Sequence, residues 1–237
     1  MKKHIPNFIT CLNLASGFIG IIETLNGRLY MGAWLIVLAC IFDFFDGFAA
    51  RMLRVTSPIG KQLDSLADMV TFGVLPGLIM FQLLHFSVVG QYLFNESIPA
   101  ISYLAVLIPI FSALRLAKFN IDERQTTYFI GVPTPTNAIL IASFALIVRV
   151  PQDNVFFFAL QNTYILAAIT IVTSLLLVSE IRLISLKFKG FSWKDNIFRY
   201  LLIIVSVIAL SVLQLYAIPV IIILYIILSL IERTYHP

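Results

Sequence analysis

Asp43 and Asp46 stand three residues apart and Asp64 and Asp68 four apart, so each pair lies on one face of a helix. Gly47 and Ala50 continue the first face. A short stretch with Thr56, Ser57, Pro58 and Gly60 separates the pairs, so a hairpin would point four carboxylates at one another. Such groups repel, and in apolar surroundings each costs about 2.5–3.5 kcal/mol at the centre of a membrane helix. Divalent cations offset both costs. Oxygen-only donors select hard ions: Mg²⁺, with Mn²⁺ or Ca²⁺ also suited. Mg²⁺ held by a few carboxylates completes its shell with substrate phosphates. Gly47 and Ala50 leave room for a ligand against the helix, and Arg51 offers a planar fork to a phosphate. The combination describes a metal–pyrophosphate site.

Helix caps, or ion pairs with Arg51, Arg54 and Lys61, would account for any one of these aspartates alone. They do not account for four with small residues interleaved. An ion or proton pathway also uses intramembrane carboxylates, but it has no need of Gly47, Ala50 and Arg51.

The elements that carry these residues are apolar. Hydrophobic residues make up 60% of the chain and charged residues 12%, against about a quarter charged in a soluble domain. Lipid is the expected solvent, and the expected fold is all-α and polytopic. About eight apolar segments can be marked, at roughly 7–25, 30–53, 63–86, 99–118, 134–149, 155–179, 198–215 and 217–232. The last two are separated only by a turn near Ala217, Ile218 and Pro219, and one long broken helix is the alternative. No hydrophilic stretch is long enough for a separate domain, so residues 1–237 are read as a single integral-membrane catalytic domain. Cys11 and Cys40 match no metal or disulfide spacing and are read as small core residues. Asn7, Thr10 and Asn13 interrupt the apolar run after Lys2 and Lys3, so the first helix is read as retained rather than as a cleaved signal.

Of 16 basic residues, 14 fall on one side when the N-terminus is placed in the cytoplasm: Lys2, Lys3, Arg51, Arg54, Lys61, Arg115, Lys118, Arg124, Arg182, Lys187, Lys189, Lys194, Arg199 and Arg233. Only Arg28 and Arg149 remain outside. The positive-inside rule then places both termini and the aspartates at the cytoplasmic face of the inner membrane. The net charge of +4 is a topology signal; no basic run interleaves with aromatics as a nucleic-acid surface would. Lys187, Lys189 and Lys194 with Trp193 are read as an anionic-lipid contact.

The run Asp43-x2-Asp46-Gly47-x2-Ala50-Arg51-x8-Gly60-x3-Asp64-x3-Asp68 resembles the complete signature of the CDP-alcohol phosphotransferases. That resemblance implies a six-helix core, a homodimer and two divalent cations, Mg²⁺ or Mn²⁺. It implies that Asp43, Asp46 and Asp64 are metal ligands, and that Asp68 is both ligand and base toward the acceptor alcohol. Gly47, Arg51 and Ser57, with Pro6 and Asn7, would contact the CDP portion; Ala50 and Gly60 belong to the same nucleotide set.

Residues 64–76, 5–13, 113–120, 129–135 and 178–182 are similar to the phosphatidylserine-forming branch of that family, and the likeness thins after about residue 190. Thr134, Thr136 and Asn137 find no interpretation in it. The branch implies CDP-diacylglycerol and L-serine as substrates, with phosphatidylserine and CMP as products. The acceptor side is expected in residues 113–135. There Arg115 and Lys118 suit a serine carboxylate, with Asn120 beyond them; the plainer alternative is a pair of cations snorkelling to headgroups. Other acceptors, glycerol phosphate or inositol phosphate, carry a phosphate and would ask for a denser basic pocket. A carboxylate-based ion transporter is the reading from another class. The charge split predicts that a tag after Pro237 is reached only from the cytoplasmic side, which protease protection in oriented vesicles would check.

Overall fold

A computed structural model describes residues 4–55, 57–87, 100–122, 129–149, 155–184 and 196–235. Lys2, Lys3, Arg124 and the expected lipid contact of Lys187, Lys189, Trp193 and Lys194 lie outside the described residues.

The helices are α1 (His4–Leu25), α2 (Leu29–Leu53), α3 (Pro58–Asp68), α4 (Leu75–His85), α5 (Leu107–Ile121), α6 (Thr134–Arg149), α7 (Val155–Gln161), α8 (Thr163–Val178), α9 (Ile197–Leu213) and α10 (Ala217–Tyr235). A π-helical stretch, Met69–Val74, joins α3 to α4, and a 3₁₀ turn, Ala100–Val106, leads into α5. Two residues, Phe129–Ile130 (β1), pair antiparallel with Arg182–Leu183 (β2). Among the described residues the fold is otherwise all-α, as expected from the sequence.

Within the described residues, each expected apolar segment appears mostly as helix. Among the described residues, five stretches are long and apolar enough to cross a membrane: His4–Leu25, Leu29–Leu53, Pro58–His85, Ala100–Ile121 and Ile197–Glu232. The pair α7 and α8, bent by 87° at Asn162, adds a sixth if it crosses as one. Among the described residues, length and composition alone thus qualify five to six such stretches, with Thr134–Arg149 a shorter apolar helix, and the count of eight is not confirmed. The protein is an integral membrane protein, and Phe8, Phe18, Trp34 and Phe44 are among the large apolar side chains left exposed on the chain's surface.

The 36-residue stretch Ile197–Glu232 is not one rod. Arg199 Nη1 lies 3.7 Å from Glu232 Oε1, whereas a continuous helix would separate them by about 50 Å at 1.5 Å per residue. The chain reverses at Gln214, whose φ is 50°, and α9 and α10 form an antiparallel hairpin. The final apolar pair is therefore two segments. This hairpin has a small core of its own, Ile184, Leu202 and Leu228. It clamps the residue after β2: Ile184 N donates to Ser229 Oγ at 3.1 Å, and Tyr225 Oη donates to Ile184 O at 3.0 Å.

The main core runs through α2, the π-helical stretch, α4, α5, α6 and α8. α6 is only 16 residues long, but it is buried on nearly every side, from Ala138 and Leu140 to Ile147. Its length is set by its protein neighbours rather than by bilayer thickness.

Two close approaches fix the ends of the bundle that matter below. A Cβ on Gly17 would meet the Thr71 backbone, so α1 lies directly against the π-helical stretch. Thr71 Oγ1 donates to Asn13 O at 3.3 Å across the same contact. Near β1, Gly131 has φ +74° and donates its N–H to Ile181 O at 2.9 Å. A Cβ there would lie 2.5 Å from Leu177 O and 3.1 Å from Ser179 O. Gly131→Ala is expected to destabilise the protein by about 2 kcal/mol or more, from a left-handed backbone together with a clash against main chain. Thermal unfolding in detergent would read this as a clear fall in Tm.

Candidate active site

Helix α2 reaches the site with its last turns. They carry Asp43, Asp46, Gly47, Ala50 and Arg51, and end at Arg54 in the left-handed conformation, φ 52°. The chain re-enters helix at Ser57, whose Oγ accepts the Gly60 N–H at 3.3 Å, with Pro58 starting α3. That cap sets the phase of α3, so Asp64 and Asp68 face α2. One carboxylate oxygen from each of Asp43, Asp64 and Asp68 lies within 4.8 Å of the others. Asp46 does not join this set; its Oδ2 accepts the Thr10 hydroxyl at 2.7 Å.

Helix α1 supplies what the sequence reading of the aspartates missed. Asn13 Nδ2 donates to Asp68 Oδ1 at 3.1 Å, and Asn13 Oδ1 is buried without a partner. Thr10 also donates to Pro6 O at 3.1 Å. Asn7, Thr10 and Asn13 recur every three residues, so the three polar positions on one face of an apolar helix were the available signal. Three converging carboxylates with oxygen donors only, beside an unsatisfied amide oxygen, fit a hard divalent cation.

A cavity of about 500 Å³ opens beside the carboxylates, lined by Pro6, Asn7, Thr10, Asp46, Gly47, Ala50, Ser57, Gly60, Lys61 and Asp64 among others. Six residues expected around the nucleotide (Pro6, Asn7, Gly47, Ala50, Ser57 and Gly60) meet here. Arg51 is exposed and does not line it, but its guanidinium lies across the Gly47 position: a Cβ there would be 3.7 Å from Nη1. A Cβ on Gly60 would come 3.0 Å from Asn7 Oδ1, so the bare glycine lets α1 close on α3.

A second cavity, about 320 Å³, is lined by Arg115, Lys118, Ile121, Asp122, Ile130, Leu177, Val178, Ser179 and Glu180. Arg115 is 7% exposed; its Nη1 donates to Thr134 Oγ1 at 3.5 Å and its Nε has no partner. Its guanidinium sits 5.4 Å from the Phe119 ring centroid. Asn120 is not part of this lining. Its Nδ2 donates to Ser65 Oγ at 2.8 Å and its carbonyl accepts Lys61 Nζ at 2.9 Å, so it ties α5 to α3. Asp122 and Glu180 add carboxylates that the sequence reading gave no role. Thr134 and Asn137, one turn apart on α6, are buried, and Asn137 Nδ2 is also unpartnered.

An apolar bundle presenting clustered carboxylates beside a cavity walled by small residues defines a lipid-embedded, metal-compatible transfer site. The chain matches the family described as CDP-alcohol phosphatidyltransferase over residues 3–179, and it belongs to that family. It is 34% identical over 212 residues to a CDP-diacylglycerol–serine O-phosphatidyltransferase of Helicobacter pylori, covering 88% of this chain and 83% of the relative. An enzyme of the same name from Bacillus subtilis is 37% identical over 134 residues, 56% of this chain and 70% of that one. The archaetidylserine synthase of Methanothermobacter thermautotrophicus is 30% identical over 179 residues, 75% and 68% of the two chains.

Thr10→Val keeps shape and removes the hydroxyl, leaving Asp46 buried without its donor. Binding of the nucleotide substrate is expected to weaken about tenfold, the cost of a hydrogen bond to a charged group. Equilibrium binding of a CDP-lipid to the variant would check it.

Proposed function

We propose that the chain transfers the phosphatidyl group of CDP-diacylglycerol to the hydroxyl of L-serine, giving phosphatidylserine and CMP. The observation that carries this reading is the convergence of Asp43, Asp64 and Asp68, with Asp64 also lining a cavity walled by small residues, in a bundle that has a second cavity lined by a buried arginine. The names of the relatives support serine as acceptor. The second cavity supports it chemically: Arg115 and Lys118 suit the carboxylate of a zwitterion, and Asp122 and Glu180 suit its ammonium. An acceptor phosphate would meet those two acidic groups unfavourably.

In this reading the CDP moiety lies in the larger cavity against Gly47 and Ala50, with Pro6, Asn7, Ser57 and Gly60 around it and Arg51 reaching the phosphates. Asp43, Asp46, Asp64 and Asp68 hold two divalent cations, Mg²⁺ or Mn²⁺, which supply charge neutralisation for the pyrophosphate. Asp68 takes the proton from the serine hydroxyl. The serine oxygen forms a bond to the phosphorus that carries diacylglycerol, the bond from that phosphorus to the bridging oxygen breaks, and CMP leaves with the oxygen. Asn13 holds Oδ1 of Asp68, which leaves the other oxygen to receive the proton. Arg115 and Lys118 orient serine; Asn120 acts indirectly, by fixing α5 against α3. The chain works as one catalytic domain in a homodimer, with the site and both termini facing the cytoplasm.

The decisive experiment is CMP release from CDP-diacylglycerol with a panel of labelled alcohols. Serine should be the preferred acceptor; release without any alcohol, or preference for glycerol phosphate, would overturn the assignment. Chelation should abolish turnover and added Mg²⁺ or Mn²⁺ restore it, whereas full activity in excess chelator would remove the metal from the reading. Asp68→Asn should lower turnover at least about 10²-fold while weakening lipid-nucleotide binding less than Asp43→Asn does. Near-normal turnover at saturating serine would require a different base.

A further inference from the structure

The end of the bundle remote from the aspartates carries a cavity that the proposed reaction does not use. It measures about 450 Å³ and is lined by residues of α2, α4, α6 and α7, with Gly27 and Ser87 at its edges. Leu29, Leu83, Phe86, Val148 and Leu160 give it apolar walls, and Gln82 and Gln161 add neutral polar groups.

Arg149, at the last turn of α6, is its only charged lining residue among those described. This end of the bundle has one other arginine, Arg28, which is already neutralised: its Nε lies 2.6 Å from Glu23 Oε2 and its Nη2 donates to Glu23 Oε1 at 3.0 Å. Arg149 has no carboxylate partner among the described residues. Its guanidinium instead lies 3.7 Å from the centroid of the Tyr30 ring. That contact uses a face of the cation and leaves its in-plane N–H fork available. It also restricts the side chain, reducing the entropy lost when the fork meets a ligand.

We propose that this cavity is a binding site for one anionic phospholipid of the leaflet opposite to the catalytic one. Arg149 takes the lipid phosphate on its fork, the two glutamines meet the glycerol and headgroup oxygens, and the apolar walls take the start of an acyl chain. The depth follows from the fold: the cavity lies at the opposite ends of the helices that carry the aspartates. An arginine that merely snorkels to headgroups has no walls around its ligand and no aromatic face fixing it, so it would not retain a lipid through delipidation.

The test uses the full chain in phosphatidylcholine nanodiscs containing a minor fraction of phosphatidylglycerol, with retained lipids counted by native mass spectrometry. Wild type is expected to keep a phosphatidylglycerol that Arg149→Gln loses, with affinity about tenfold weaker, while Arg28→Gln keeps it. Alcohol-dependent CMP release, which arises at the other end of the bundle, checks that each variant is folded. Equal retention of phosphatidylglycerol by wild type and Arg149→Gln, or equal retention of phosphatidylcholine and phosphatidylglycerol by wild type, overturns the site. Inorganic phosphate in excess should leave the lipid bound; displacement would mean that the free anion suffices and would overturn the lipid assignment. Should Arg149→Gln fail to fold, Tyr30→Leu removes the stacking face and keeps the charge. Retention at wild-type affinity in that variant would equally overturn the proposal.

Discussion

Asn13 reaches Asp68 across 3.1 Å and Thr10 reaches Asp46 across 2.7 Å, and most of the architecture around the site serves those two hydrogen bonds. Carboxylates brought together in a medium of low dielectric repel, and each resists burial unless a dipole or cation compensates it. Helix α1 provides the dipoles. It does so because Gly17 allows it to touch the π-helical stretch at Thr71, which lies three residues beyond Asp68. The π geometry has a local cause: Pro76, at the start of α4, has no N–H to return to the carbonyl of Phe72, and the preceding turn widens. A proline in α4, a glycine in α1 and a wide turn between two straight helices thus bring an amide to a carboxylate.

The two cavities divide the remaining work by charge. Around the first, small residues leave a largely neutral wall, with an acidic edge at Asp46 and Asp64 and one cation, Lys61. Around the second, cations and carboxylates alternate: Arg115 and Lys118 with Asp122 and Glu180. The wall that bears Leu177 to Glu180 is tied to β1 through Gly131 and to α10 through Ile184. The matched family region stops at residue 179, so the α9–α10 hairpin lies outside it, and through Ile184 it braces one side of the second cavity from behind.

Much of this was legible in the sequence because it is local. The carboxylate pairs, the small residues between them and the capped break at Ser57 are all periodic or turn-like features. The resemblance of that motif to the family signature, rather than periodicity, implied Pro6, Asn7, Gly47, Ala50, Ser57 and Gly60 as one set before any contact between them was visible. What was not legible depends on contacts between distant segments. Asp46 and Asp43 are indistinguishable by spacing, yet Thr10 draws Asp46 aside. Asn120 follows Lys118 closely in sequence but turns to Ser65 on α3. The turn expected near Ala217 to Pro219 falls a few residues earlier, at Gln214, where no glycine marks it, and the meeting of Arg199 with Glu232 decides for a hairpin over one broken helix. The far-end cavity has no sequence signature, since its walls come from four helices, each presenting ordinary apolar residues.

The burial of α6 has a consequence for biogenesis. Thr134, Thr136, Asn137 and Ser143 make it a poor candidate for stable residence in hydrocarbon by itself, and it is only 16 residues long. Its favourable environment is the slot between α2, α4 and α8, and the last of these is synthesised after it. Insertion of this segment is therefore coupled to the arrival of its neighbours, and the centre of the bundle is completed late, by assembly within the membrane rather than by independent partitioning of each helix.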